Sequence, residues 1–186
     1  MISDEALMLE FQSGSREAFE ELFARYREPL YGFFRRRLAS KDRAEDLAQE
    51  TFLAVIRSAV RYEPRALVKT YLYGIALKLL AAERRKLSGN EPPIDDAHEP
   101  VEDALSDDAL WVRQALEKLD AGEREILMLR EYEQLNYAEI AEVLRLPVNT
   151  VRSRLFRSRM ALKSFLEPRR KMQSRARGAA EGEAQS

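Results

Sequence analysis

The sequence predicts an all-α protein of two small helical domains joined by an acidic, flexible linker. Three observations carry this reading. Apolar residues recur at three-and-four spacing through most of the 186 residues, and no alternating strand pattern competes with them. Between the two periodic regions lies LSGNEPPIDDAHEPVEDALSDDAL, which holds prolines, a glycine and many acids but no Lys or Arg. The chain is 45% hydrophobic, enough to bury a core. Its 31 basic and 32 acidic residues nearly cancel, so any affinity for a polyanion must come from local segregation of charge.

Taken in order, Phe19, Leu22, Phe23, Tyr26, Leu30, Phe33, Phe34 and Leu38 mark an amphipathic helix. Pro29 removes a backbone donor from its middle, which predicts a kink or two abutting helices. A second helix is expected from about Asp42, with Ala44, Leu47, Ala48, Thr51, Phe52, Val55, Ile56 and Ala59 inward. Pro64 suits the first turn of a third, in which Leu67, Tyr71, Ile75 and Leu79 repeat before the basic end ERRK. These helices form a first domain, 1–87. The acidic linker occupies 88–109, and helical spacing resumes at Leu110, Val112, Leu116 and Leu119 in a second domain, 110–167. The tail, 168–186, has only Met172 as a large apolar side chain and is expected to be disordered.

Several function classes are disfavoured. With no cysteine there is no disulfide, iron–sulfur cluster or thiolate zinc site, which suits a reducing compartment, and the most apolar internal run, LYGIALKLLAA, is too short to span a bilayer. A cytoplasmic protein without membrane insertion is expected. The single histidine, His98, lies among acids and prolines, and the seven glycines are scattered singly, so neither a general base nor a phosphate-cradling loop is evident. No catalytic residue, metal or cofactor is expected.

One local segregation of charge does stand out. In NTVRSRLFRSR, residues 149–159, four arginines fall in a short run. Upstream lies NYAEIAEVLRLP, where Asn136 can cap a helix and Glu139 can reach back to it, with Ile140, Ala141 and Leu144 inward. After a break at Arg145 to Pro147, Val148, Val151, Leu155 and Leu162 share one face of a second helix, which completes a helix-turn-helix pattern. With Val151 inward, Asn149, Thr150, Arg152, Ser153, Phe156 and Arg157 point outward, flanked by Arg154 and Arg159. Such a face suits the DNA major groove, where arginines take phosphates or the paired acceptors of guanine.

The first domain indicates which kind of DNA-binding protein this is. AEDLAQETFLAVIR resembles the polymerase-binding segment of bacterial sigma factors, in particular the extracytoplasmic-function group of the sigma-70 family. GSREAFEELFARYREPLYGFFRRRL resembles the start of that family's promoter-melting domain, sigma region 2. TYLYGIALKLLAAERRK is similar to its stretch for the -10 promoter element, and LREYEQLNYAEIAEVLRLPVNTVRSRLFRSRMALK to the -35-reading domain, sigma region 4. The resemblance implies that Asp46, Gln49, Glu50 and Leu53 face the clamp helices of the polymerase largest subunit, the flap being a further contact. It implies that Arg61, Tyr62, Lys69, Tyr71, Tyr73, Lys78, Arg84 and Arg85 handle the -10 element and melting. Asn149, Thr150, Arg152, Ser153, Arg154, Arg157 and Arg159 would then read the -35 element.

The expected function is that of a dissociable specificity subunit, not itself an enzyme, serving a stress- or signal-responsive set of genes. The expected partners are core RNA polymerase, promoter DNA and an anti-sigma protein. Of the aromatics, Tyr62 is expected to be exposed, whereas Tyr71 suits core packing and strand capture equally. Some of Leu127, Met128 and Leu129 would be exposed to polymerase or an anti-sigma partner, with core packing favoured for two of the three. The sequence departs from the family pattern at Tyr71, Lys78 and Ala82, which bear on the -10 preference, and at Asp120, Arg145 and Asn149. A left-handed backbone at Arg145 would cost roughly 1 kcal/mol. The rival reading is a free-standing helix-turn-helix regulator whose first domain senses a ligand or dimerises.

Overall fold

The computed structural model describes residues 2–64, 67–90 and 107–183. His98 and most of the expected linker lie outside the described residues. Among the described residues eight α-helices follow one another: α1 Asp4–Gln12, α2 Arg16–Arg35, α3 Lys41–Ser58, α4 Val68–Asn90, α5 Asp107–Glu117, α6 Ala121–Glu131, α7 Tyr137–Leu144 and α8 Val148–Glu183. A 3-10 turn, Ala59–Arg61, closes the end of α3, and no strand occurs among the described residues. The chain divides into two compact units, Met1–Pro100 with Ala138–Leu146 and Val101–Tyr137 with Pro147–Ser186.

Within the first unit α1, α2 and α3 start where serine can cap them. Ser3, Ser15 and Ser40 each accept a hydrogen bond from the backbone N–H three residues on, at 3.1, 3.2 and 3.2 Å, satisfying amides that a helix start leaves without partners. Helix α2 buries Leu22, Tyr26, Leu30, Phe33 and Phe34 against α1, α3 and α4. Each such side chain, fully removed from water, contributes roughly 1.5–3 kcal/mol. Phe11, Phe19, Phe23 and Phe52 continue the core as a run of ring contacts, with Phe23 and Phe52 centred 4.7 Å apart. Pro29 does not split α2, which is one helix; the proline lies on its exposed side, where water can serve the carbonyl that loses its partner.

In the second unit α8 packs on α6 and α5. Leu127, Met128 and Leu129 are all buried, so none of the three offers an exposed apolar surface; together with Ile126 they bury α6 on all sides over one turn. Asp120 caps α6 by accepting from the amides of Gly122 and Glu123, at 2.9 and 3.3 Å. The departure from the family at Asp120 therefore supplies a helix cap of its own.

Three further sequence expectations change. Helix α1 was not anticipated, although Ser3 and the apolar positions Leu7, Met8 and Phe11 carry its signature. Helix α4 starts at Val68, not at Pro64. The tail expected to be disordered from 168 continues α8 as far as Glu183; its Ala, Arg, Lys, Gln and Glu content favours helix even without an apolar stripe.

Candidate nucleic-acid interface

The basic face of α8 begins at a tight turn. Leu146 N–H donates to Ala141 O at 2.9 Å and Arg145 N–H to Glu142 O at 3.2 Å, closing the end of α7 with Arg145 at φ 54°. This is the bonding pattern of a left-handed C-terminal cap, where glycine is the usual occupant. Pro147 O then accepts from Thr150 and Val151, at 2.9 and 3.1 Å, and starts α8. Val151, Leu155 and Ser158 are buried along the inner side, with the Ser158 hydroxyl 3.1 Å from Glu123 O on α6. That anchoring sets the helix phase and leaves Asn149, Arg152, Ser153, Arg157 and Phe156 outward, Phe156 at 66% exposure.

The arginines are not equivalent. Arg157 Nε lies 3.2 Å from Glu123, and Arg159 Nη2 donates to Glu131 at 2.7 Å. The Glu131 carboxylate holds the Arg159 guanidinium above its ordinary pKa. Arg154 is half-buried against the start of α6, where a Cβ at Gly122 would stand 3.4 Å from its Nη1. Arg152 is exposed on the opposite flank from Arg154. Thus two acids of α6 reach into the face expected to meet DNA, and Thr150 is only partly exposed.

On α3, Asp46, Gln49, Glu50 and Leu53 are all exposed on a single stripe. Asp46 is tied to Arg43 at 2.9 Å. The stripe continues beyond the expected residues through Ile56 and Val60, 45% and 87% exposed. Ile56 therefore does not belong to the buried side, where its apolar character suggested placing it. Beside Gln49 a groove of about 420 Å³ opens between α2 and α3, lined among others by Phe23, Ala48 and Phe52.

The residues expected at the -10 element separate into two groups. Tyr71, Lys78 and Arg85, seven residues apart each time, lie along one side of α4, with Lys78 and Arg85 exposed and Tyr71 partly so. Arg84 is exposed on a flank and Arg61 at the end of the 3-10 turn, while Lys69 is half-buried. Tyr73 is 2% exposed with its ring 5.5 Å from that of Phe33, so it is a core residue and not a surface contact. Tyr62 was expected to be exposed, yet only 5% of it is; it packs 5.3 Å from the Tyr71 ring, and burial beside Glu5 and Asp4 pushes its phenol up to about 12. Tyr71 is partly buried, with its hydroxyl 2.5 Å from that of Ser58, and partly exposed.

Two family models match the chain: Sigma-70 region 2 over residues 22–89, and Sigma-70, region 4 over residues 109–162. The RNA polymerase sigma-H factor of Pseudomonas aeruginosa is 32% identical, covering 89% of this chain and 94% of its own. The chain belongs to the sigma-70 family. The ECF RNA polymerase sigma-E factor of Haemophilus influenzae is 31% identical over 90% of this chain and 97% of its own. Among solved structures, CnrH in complex with the cytosolic domain of CnrY is similar at a TM-score of 0.68 and 26% identity, over 89% of this chain and 97% of that one.

As a sigma factor the chain is a specificity subunit that directs transcription initiation by RNA polymerase; nucleotidyl transfer belongs to the core enzyme. The region 2 match starts at residue 22, so α1 stands outside both matched segments of this sigma factor. Among the described residues no helix is long and apolar enough to cross a membrane.

Proposed function

We propose that this sigma factor works in the cytoplasm through three surfaces, one for core polymerase and two for promoter DNA. The α3 stripe of Asp46, Gln49, Glu50 and Leu53, extended by Ile56 and Val60, docks on the polymerase clamp helices. Acids meet a basic partner surface there, and the apolar end of the stripe loses its water. The α4 side of Tyr71, Lys78 and Arg85, with Arg61, Lys69 and Arg84, holds the opened -10 strand by charge and by stacking of unpaired bases. The outward face of α8 reads the -35 element with Asn149, Arg152, Ser153 and Phe156, a ring able to meet a thymine methyl. Thr150, Arg154, Arg157 and Arg159 contribute charge and hydrogen bonds at its edges.

The observation that carries this proposal is the coexistence, in the family's order, of an exposed acidic and apolar stripe on α3 with an exposed basic face on α8. Each DNA contact is weak by itself. Mounting both on polymerase raises their effective concentration at a promoter and makes the pair selective. A protein partner that covers these surfaces, as an anti-sigma protein would, is supported by the similar CnrH, which was solved with the cytosolic domain of CnrY.

Run-off transcription with core RNA polymerase on a library of upstream fragments tests the proposal. Transcripts that require the protein and vanish in the Asp46→Arg, Glu50→Arg double variant are expected. Tight, sequence-specific DNA binding by the protein alone, with no transcript, would instead mean a free-standing regulator.

A further inference from the structure

Helix α1 grips the connection between α3 and α4 at both ends. Gln12 Nε2 donates to Ala59 O at 2.6 Å and to Tyr62 O at 2.9 Å. At the other end Glu5 Oε1 accepts from Val68 N–H at 3.2 Å. The sequence separations are 47, 50 and 63 residues, so these bonds report tertiary placement, not local turn chemistry.

The two grips occupy points where a helix end cannot satisfy itself. The first intrahelical bond of α4 runs from Tyr71 N–H to Leu67 O, at 3.0 Å, which makes Leu67 the residue before the helix. Leucine carries no oxygen to cap the amides that follow, and the Glu5 carboxylate does this instead, at the end of the helix where negative charge is favoured. At the 3-10 turn the Tyr62 carbonyl faces away from any continuing helix, and the Gln12 carboxamide supplies a donor. Helix α1 is itself fixed to α2: Asp4 accepts from Arg25 Nη1 at 2.6 Å and from the Tyr26 hydroxyl. Tyr62 closes the arrangement, buried below the connection against Tyr71.

We infer that α1 is a positioning element for promoter opening, with Gln12 and Glu5 as positioning residues that fix the 3-10 turn at Ala59–Tyr62 and the start of α4 at Val68, and so present Arg61, Lys69 and Tyr71 to the -10 strand. The inference rests on the proposed role of those three residues. It assigns a task to a helix that the region 2 match leaves out. Neither Gln12 nor Glu5 touches DNA in this scheme. Each acts by holding a backbone group next to these residues, Gln12 at the 3-10 turn and Glu5 at the first amide of α4, so that cation and ring lose less ordering entropy when they close on an unstacked base.

The test uses holoenzyme assembled from core polymerase with wild-type, Gln12→Ala, Gln12→Glu and Glu5→Gln proteins, on one promoter and its single-base -10 variants. Permanganate reactivity of unpaired thymines measures opening, with thermal melting of each protein and its affinity for core as controls. For Gln12→Ala the expected result is a loss of at least tenfold in opening on the preferred promoter and a flattened ranking of the -10 variants, with core affinity unchanged. Gln12→Glu, which keeps the length of the side chain but sets a carboxylate against two carbonyls, should behave like Gln12→Ala. Glu5→Gln retains an acceptor oxygen and should restore most of the wild-type ranking. An unchanged ranking in Gln12→Ala would overturn the inference, and so would an equal loss on all promoters that followed thermal stability. A wild-type holoenzyme with no -10 preference, or one indifferent to Arg61→Ala and Lys69→Ala, would refute the underlying DNA-contact proposal instead.

Discussion

Arg43 on α3 and Glu83 on α4 join through two parallel hydrogen bonds, Nε to Oε1 and Nη2 to Oε2, each 2.8 Å long. The side chain of Glu83 is only 8% exposed and that of Arg43 36%, so the fork sits at the edge of the core, next to the α3 stripe proposed to meet polymerase. The same guanidinium reaches Asp46 at 2.9 Å, which links the orientation of a proposed polymerase contact to the seam between the two helices. The hydrogen bonds from Arg43 hold the Glu83 carboxyl below its ordinary value of 4.5.

Removing the charge at Glu83 should therefore destabilise the first unit by about 2 kcal/mol, the range of a hydrogen bond to a charged group. A carboxylate whose pKa is lowered by folding stabilises above its unfolded value and loses that contribution as pH falls through the folded one. Urea denaturation at pH 7 should show the full gap between wild type and Glu83→Gln, and the gap should close as pH drops below about 4.5. A gap of the same size at pH 3 would mean that lost packing, and not the ion pair, sets the cost.

Arg145 holds a left-handed backbone, φ 54°, in the turn before α8. A side chain in that region costs about 1 kcal/mol or more through its Cβ, which glycine lacks. Arg145→Gly should raise the unfolding free energy by about 1 kcal/mol, whereas Arg145→Ala should leave it near wild type because the Cβ remains. Equal stability of the glycine and alanine variants in a thermal melt would show that the turn is unstrained.

Arg152 and Arg159 should fail differently when truncated. Arg152 lies on the outward face without an acid of α6 beside it, and its loss should reduce discrimination between matched and mismatched -35 sequences by about 1–3 kcal/mol. Arg159 already shares its charge with Glu131, so Arg159→Ala should weaken holoenzyme binding less than tenfold, in the range of an exposed ion pair, and alike on all sequences. Glu131→Gln should tighten binding on all sequences and steepen its salt dependence by releasing that charge. Binding titrations on matched and mismatched promoters at several salt concentrations check all three, and identical sequence profiles for Arg152→Ala and Arg159→Ala would remove the distinction.

The outward face of α8 was legible in the sequence because Val151 and Leu155 fix the phase of the helix and every other position follows from a 3.6-residue period. The acid and amide stripe of α3 was legible for the same reason. Aromatic residues were not, since a tyrosine suits a core as well as a stacked base, and only burial against Phe33 assigns Tyr73 and only packing against Tyr71, beside Glu5 and Asp4 of α1, accounts for Tyr62. Ile56 misled in the opposite direction: its side chain is apolar, yet it continues the exposed stripe.

By itself, then, the sequence determined the helical class, the two-region order and the faces of the main helices, all of which depend on spacing along one chain segment and on capping residues within a few positions. Tertiary structure decided which charges and polar groups are already partnered. Glu83 for Arg43, Glu123 for Arg157, Glu131 for Arg159 and Gln12 for the Tyr62 carbonyl all come from other helices. Their pairing depends on how helices cross, and helix crossing is set by the packing of the whole core, which no local period encodes.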